Sequence, residues 1–266
     1  MHNSLYTNLI ITLTVVFPFL AGAVVNPDAI VLSLSFDEGA GEKAEDISPL
    51  GNNVFFIDGP KWDEGKFGKS VRLKKTAHLE TEMPNLDLHD TDLSMAIWAK
   101  FTAEPGWVAL MSHDEGAQIG AKKWAWWFSA GAFVFYIDHA DAKETREWIR
   151  SDFFGTPELD RWYHLAIVKQ NDLHTHYLDG EPFGEEEKKA PVPEAIIGPL
   201  SIGATGIRYF FQGFLDEAII VRQALSQNDI RNHRDGGNVG ILAVEPGGKL
   251  ATRWGSLKMK RELSSY

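Results

Sequence analysis

No cysteine occurs anywhere in the 266 residues. That absence excludes disulfide staples, zinc–thiolate sites, thiol nucleophiles and a lipid-modified cysteine anchor, so stability has to come from a packed core. Positive charge is also in short supply, with 26 Lys and Arg against 37 Asp and Glu and a formal charge of −11. The average surface field therefore repels phosphate backbones and anionic lipid heads, which disfavours nucleic acid and membrane surfaces as partners and favours cations. No pattern recurs at a fixed spacing, which argues against propellers and solenoids. No Gly-x-Ser-x-Gly elbow, phosphate loop or His-Glu-x-x-His is present either. Apolar residues, by contrast, make up 44% and aromatics 12% of the chain, ample for a sizeable core and incompatible with disorder of the body.

Residues 1–23 differ in character from the rest of the chain. Leu9 to Leu20 is an apolar run without a charge, and Ala21-Gly22-Ala23 supplies a small-x-small cleavage pattern, so the segment is predicted to be a cleaved export signal. The alternative, an uncleaved anchor, needs about 20 apolar residues to cross a bilayer, more than this run offers. The expected location is therefore secreted, extracellular or periplasmic, without membrane insertion after cleavage.

From Ile30 onward the dominant hydrophobic period is two, the mark of half-buried strands. Leu32, Leu34 and Phe36 alternate with serines, and Leu93, Met95, Ile97, Ala99 and Phe101 fall on one face. Further strands are predicted at Val71 to Leu73, His78 to Thr81, Val108 to Met111, Trp124 to Ser129, Phe133 to Ile137, Tyr163 to Lys169, His174 to Leu178, Leu200 to Ile202 and Phe214 to Val221. Turn residues cluster between them, as at Gly59-Pro60, Asp179-Gly180 and Gly198-Pro199. One short helix is expected at Ser226 to Arg234, capped by Ser226 with Asp229 in its first turn and stopped by Gly236-Gly237. Many strands and one helix predict an all-β, two-sheet antiparallel β-sandwich over residues 24–240. A basic tail, 241–266, carries Lys249, Arg253, Lys258, Lys260 and Arg261; it reads as a final strand and frayed end, or as a docking or sorting tail.

Several segments, in order, resemble the laminin-G-like or concanavalin A-like jelly-roll domains of secreted bacterial proteins. Leu34-Ser35-Phe36-Asp37-Glu38 with Asp46-Ile47-Ser48 and Gly51-Asn52-Asn53 is similar to the family's opening strand and loop. Gly65 to Val71 and Leu93 to Lys100 resemble the next blocks. Trp162 to Val168 with Tyr177-Leu178-Asp179-Gly180-Glu181, and Gly213 to Ile220 with Ala224-Leu225-Ser226, are the most specific matches. Pro49-Leu50 departs from the family's tight loop. The resemblance implies the jelly-roll fold over roughly residues 30 to 240 and no single function, because the fold hosts lectins, glycosidases, adhesion modules and spacers alike.

Phe214 to Val221 is apolar on both faces yet holds Asp216 on one and Glu217 on the other. A buried carboxylate needs a partner or a cation, and calcium is the hard cation that suits it. The resemblance implies a structural calcium joining Asp216 to Asp46, Asn52 and Asp37; pairing with Arg222 or Arg72, or with backbone amides, is the alternative. Trp124 and Trp126, with Tyr136 soon after, offer flat faces for sugar rings, against the equally plain reading that such a strand packs a core. Trp98, Trp148 and Trp162 are expected in the core. His174 and His176 share a strand face and could chelate a metal, or simply face solvent. His113-Asp114-Glu115-Gly116 reads as a solvated turn. Enzymes of this fold class that cut β-glucans use Glu-x-Asp-x-x-Glu, but the nearest string, Glu158 to Tyr163, ends in a tyrosine. No catalytic residue is therefore expected. The predicted function is a non-catalytic binding module for carbohydrate or glycoprotein with a structural calcium. A polysaccharide-acting hydrolase or lyase, and a structural adhesion domain, are the competing classes.

Overall fold

The computed structural model describes residues 25–81, 86–114, 121–139 and 146–242. The expected export segment and the basic tail beyond Leu242 lie outside these residues. In chain order the strands are β1 (Ile30–Leu34), β2 (Lys43–Ala44), β3 (Val54–Ile57), β4 (Lys61–Glu64), β5 (Lys69–Leu73), β6 (His78–Thr81), β7 (Leu93–Phe101), β8 (Val108–Asp114), β9 (Lys123–Ser129), β10 (Ala132–Asp138), β11 (Arg146–Arg150), β12 (Trp162–Gln170), β13 (Leu173–Leu178), β14 (Glu181–Glu187), β15 (Leu200–Ile202) and β16 (Gly213–Val221). Among the described residues a helical segment kinked at Gly237, α1 (Gln227–Leu242), comes after the last strand.

The strands form two antiparallel sheets. The first runs β14-β13-β12-β7-β16-β5-β4, with β1 also pairing β16, and the second runs β11-β10-β9-β8-β15-β6-β3-β2. The predicted β-sandwich is what the chain forms. Its core lies between the sheets, because period-two alternation delivers every second side chain inward. Leu93, Met95, Ile97, Ala99 and Phe101 of β7 meet Trp124, Trp126 and Phe128 of β9 and Phe133, Phe135 and Ile137 of β10 in one continuous cluster.

The helix begins where expected. The Ser226 hydroxyl donates to Asp229 Oδ2 at 2.6 Å, and the Asp229 amide donates back to Ser226 Oγ at 3.2 Å, a reciprocal cap. Its first part stops where expected, at Gly236-Gly237. Gly237 takes φ 60°, a break that only glycine tolerates cheaply, and the helix resumes to Leu242. The stretch after the break is held by burial, Ile241 packing with Ile230, Leu225, Ile219 and Val168 on the outer face of the first sheet. Among the described residues no helix is long and apolar enough to cross a membrane.

Candidate functional site

Among the described residues no helix lies over the outer face of the second sheet. Alternation along β9 sends Trp124, Trp126 and Phe128 into the core and leaves Lys123, Ala125 and Trp127 outward. Register then builds rows across the sheet. Asp114, Lys123, Asp138 and Arg146 are successive cross-strand partners, a row of alternating charge. The next row is Ser112, Ala125, Tyr136 and Trp148, and Trp127 lies opposite Ala109 and Val134 beyond it. Small residues beside large rings leave a depression in the sheet surface.

Five rings line it. Trp127 stacks on Tyr136 at 5.0 Å with planes 19° apart, and Tyr136 meets Trp148 at 4.7 Å. Trp107, from the loop before β8, contacts Trp127 at 5.5 Å, Trp148 at 5.9 Å and Tyr209 at 5.6 Å. Tyr209 belongs to a hairpin-like loop closed by paired bonds between Thr205 and Arg208 and fixed to β8 by the Ala109 amide donating to the Tyr209 carbonyl at 2.7 Å. Tyr209 holds φ 55°, a left-handed conformation that a bulky residue adopts only when its surroundings impose it. Trp107 is 44% and Tyr209 36% exposed, so ring area remains open to solvent.

These rings, with Asp114, Lys123, Asp138, Arg146, Thr205 and Arg208, bound a cleft of about 340 Å³, a size suited to a small ligand. Its acids are compensated: Lys123 pairs with Asp114 at 3.4 Å, and Asp138 Oδ2 receives the Tyr136 hydroxyl at 2.8 Å and Arg146 Nε at 3.2 Å. Burial, aided by that carboxylate, pushes the Tyr136 phenol well above its usual range, so it stays a hydrogen-bond donor. A second opening of about 490 Å³ shares Trp107, but Thr156 is the one side chain with a hydrogen-bonding group among its lining residues besides the Trp107 indole. The chemistry favours the smaller cleft.

The expected sugar platform was on the wrong face of its strand. Trp124 and Trp126 are fully buried in the core, because their parity on β9 points them at the opposing sheet. Tyr136 does line the cleft. Trp148, expected in the core, is half-buried on the outer face, and Trp162 is half-buried beneath Lys100, whose Nζ lies 4.9 Å above its ring. Trp98 is buried. His113 and Asp114 belong to β8 rather than a solvated turn, and both are buried. Trp107, Trp127, Arg208 and Tyr209 were missed. Shared parity of Lys123, Ala125 and Trp127 with Tyr136, Asp138, Arg146 and Trp148 was the signal available for the strand positions; the loop positions had none.

The four candidate cation ligands fall into two places. Asp46 Oδ1 accepts from the Ser33 and Ser48 amides, and Oδ2 from Ser48 Oγ and the Asn52 amide. Asn52 Nδ2 donates to the Val31 carbonyl at 3.0 Å, so this pair ties its own turn to β1. Burial nevertheless raises the Asp46 carboxyl. Elsewhere, the loop at residues 65–69 lies between Asp37 and Asp216: Lys69 donates its amide to Asp37 Oδ1 at 2.9 Å, and Lys66 and Phe67 donate theirs to Asp216 Oδ2 at 2.8 and 3.0 Å. Burial pushes Asp216 up to about 8, with the Asp37 charge adding to the rise. Among the described residues neither carboxylate forms an ion pair with Lys, Arg or His, and no group of three or more acidic or histidine side chains converges on a common point. His174 and His176 are buried, not solvated, and desolvation lowers both, His176 to about 4. His176 Nε2 lies 3.2 Å from the Ile149 carbonyl, a structural contact.

Comparison with known proteins agrees with this architecture. A model described as the concanavalin A-like lectin/glucanases superfamily (Laminin_G_3) matches residues 73–231. No curated protein matches the sequence. Among solved structures, domain 4 of AbnA, a GH43 extracellular arabinanase from Geobacillus stearothermophilus solved with arabinotriose, superposes with a TM-score of 0.62 at 15% identity, covering 76% of this chain and 97% of that one. The binding domain of Paraclostridial Mosquitocidal Protein 1 gives 0.58 at 16% identity, covering 78% of this chain. The botulinum neurotoxin serotype D binding domain gives 0.61 at 14%, covering 79%. Each of the two toxin matches spans 52% of its neighbour's length. At such identities the likeness concerns the fold.

Proposed function

This chain belongs to the concanavalin A-like lectin/glucanase superfamily, and from that premise we propose that it is an exported, non-catalytic module that binds carbohydrate in the aromatic cleft on the outer face of its second sheet. The observation that carries the reading is the packed cluster of Trp107, Trp127, Tyr136, Trp148 and Tyr209, five rings on a sheet face that leaves two of them substantially open to water. Ring faces suit the C–H face of a sugar, while Thr205, Lys123 and the arginines supply donors around them. The extracellular arabinanase domain solved with a bound oligosaccharide and the toxin binding domains make both ligand class and export natural for this fold.

The cleft also holds two carboxylates, Asp114 and Asp138, which favour a hydrolase as the second reading. They sit two strands apart in one row, about 10 Å by ladder spacing, near the upper end of the inverting-enzyme separation. Lys123 stands between them in register and pairs with Asp114, and Arg146 pairs with Asp138. Acids held in this way serve as scaffold better than as proton donor and base, so binding is preferred.

Calcium is the second element of the proposal. Of the four candidate ligands, Asp37 and Asp216 come nearest to a cation's needs: two neighbouring carboxylates, one fully buried, that accept from backbone amides and form no ion pair among the described residues. The ion would supply the missing positive charge; the chain's own residues hold the loop at 65–69 between β1 and β16.

Calorimetric titration of the full chain against neutral and acidic polysaccharides, with calcium and with chelator, tests these points. Binding should be detectable and fall about thirtyfold in Trp107→Ala, as for a central aromatic contact, with no release of reducing sugar. Undiminished binding by that variant sinks the cleft, and reducing-sugar release promotes the hydrolase reading. A melting midpoint insensitive to chelator removes calcium.

A further inference from the structure

We propose that the glycan this cleft selects is acidic, carrying a carboxylate or sulfate on its sugar rings; the inference rests on the carbohydrate reading above. The protein as a whole is strongly anionic, at −11, yet the outer face around the rings is not. Among the described residues it presents Lys123, Arg146, Arg150 and Arg208 against Asp114 and Asp138. The two aspartates are matched by Lys123 and Arg146. Arg150 and Arg208 remain, and neither guanidinium has an ion-pair partner among the described residues.

Their placement is what makes the surplus specific. Arg146, Trp148 and Arg150 alternate on one face of β11, and the Arg150 guanidinium lies 5.5 Å from the Trp148 ring. Arg208 approaches the same rings from the other side, on the loop that carries Tyr209. That loop is held before any ligand arrives: the Thr205 and Arg208 backbones exchange two hydrogen bonds of 2.9 Å, and the Phe211 amide donates to the Gly203 carbonyl at 2.8 Å. A sugar stacked on Trp107 and Tyr209 would therefore lie beside guanidinium groups, that of Arg208 carried on a fixed backbone. Guanidinium presents a planar fork that matches carboxylate or sulfate oxygens, and a loop already held in place reduces the entropy lost on binding. A neutral chain would offer Arg208 only hydroxyl acceptors, without the charge-assisted pairing that carboxylate or sulfate oxygens give.

The discriminating experiment measures affinity of the full chain for three oligosaccharide sets of equal length on one array: neutral, uronate-bearing and sulfate-bearing. An acidic set should bind at least tenfold tighter than the neutral one, and the better of the two names the anion. Arg208→Ala should collapse that preference toward unity and Arg208→Lys should restore part of it, since charge returns without the fork. Raising salt to about 1 M, where the screening length falls to about 3 Å, should erode the preference in the parent chain. Neutral chains bound as tightly as acidic ones, or a preference that survives Arg208→Ala, overturns the inference while leaving the carbohydrate reading intact. Absence of binding to all three sets overturns both.

Discussion

The two outer faces of the sandwich are built from the same alternating strands and end in opposite conditions. The first sheet is roofed by α1, whose Ile230 and Ile241 press on Ala96, Ala166, Val168, Ile219 and Val221. Beneath the roof lies a polar chain: the Asn238 amide donates to Glu217 Oε2 at 2.7 Å, Asn238 Oδ1 accepts from His233 Nε2 at 2.9 Å, and His233 Nδ1 faces His164 Nε2 at 2.8 Å. Among the described residues the second sheet has no roof: Trp127 and Tyr136 are buried against their neighbouring rings, Trp148 is half-buried, and Trp107 and Tyr209 keep ring area open to water. Apolar surface on one face is used to dock a helix, and on the other it remains available to a ligand.

Breaking the roofed face should have the largest effect. Ile230 is fully buried, so Ile230→Ala should destabilise the fold by about 2–5 kcal/mol in denaturant unfolding. The comparable truncation on the open face, Trp107→Ala, should change stability far less while weakening ligand binding. Equal destabilisation by both would mean that the open face is as structural as the covered one.

Next in size is a pH effect at the histidine pair beneath the roof, added to that of the buried His174 and His176. Desolvation holds His233 neutral, with its pKa lowered to about 4, and lowers His164 as well. A second proton would place two N–H groups nose to nose between the rings. Because the unfolded histidine takes its proton near pH 6.5 and the folded one does not until about 4, the unfolded state binds more protons in that window. Stability should therefore fall as pH drops from about 6.5 to about 4, by about 3 kcal/mol for His233. His233→Gln should flatten this slope in a pH series of chemical denaturation, and matching slopes would refute the neutral-pair account. The smallest effect belongs to the rim of the roof: Arg231 forks onto Glu181 at 2.8–3.1 Å, yet both are exposed, so Arg231→Ala should cost less than about 1 kcal/mol and less again in high salt.

Much of the fold was legible because period-two alternation is local. The strands at Leu93 to Phe101, Trp124 to Ser129 and Phe214 to Val221, and the Ser226–Asp229 cap, are where the pattern put them. The site was only half legible. Three tryptophans within four residues announce a surface or a core without saying which, since parity becomes a direction only once a partner sheet exists. Trp124 and Trp126 went inward for that reason and Trp127 outward.

Composition and alternation alone thus determined an all-β, cysteine-free sandwich with a helix after its last strand. They could do so because side-chain period and turn chemistry act within a few residues of the chain. Tertiary structure decided which outer face is covered, that a second helical stretch follows the break at Gly237 and buries Ile241, and that Trp107, Tyr136, Trp148, Arg208 and Tyr209 share one cleft. Those residues span a hundred positions, and only sheet register and loop closure bring them together.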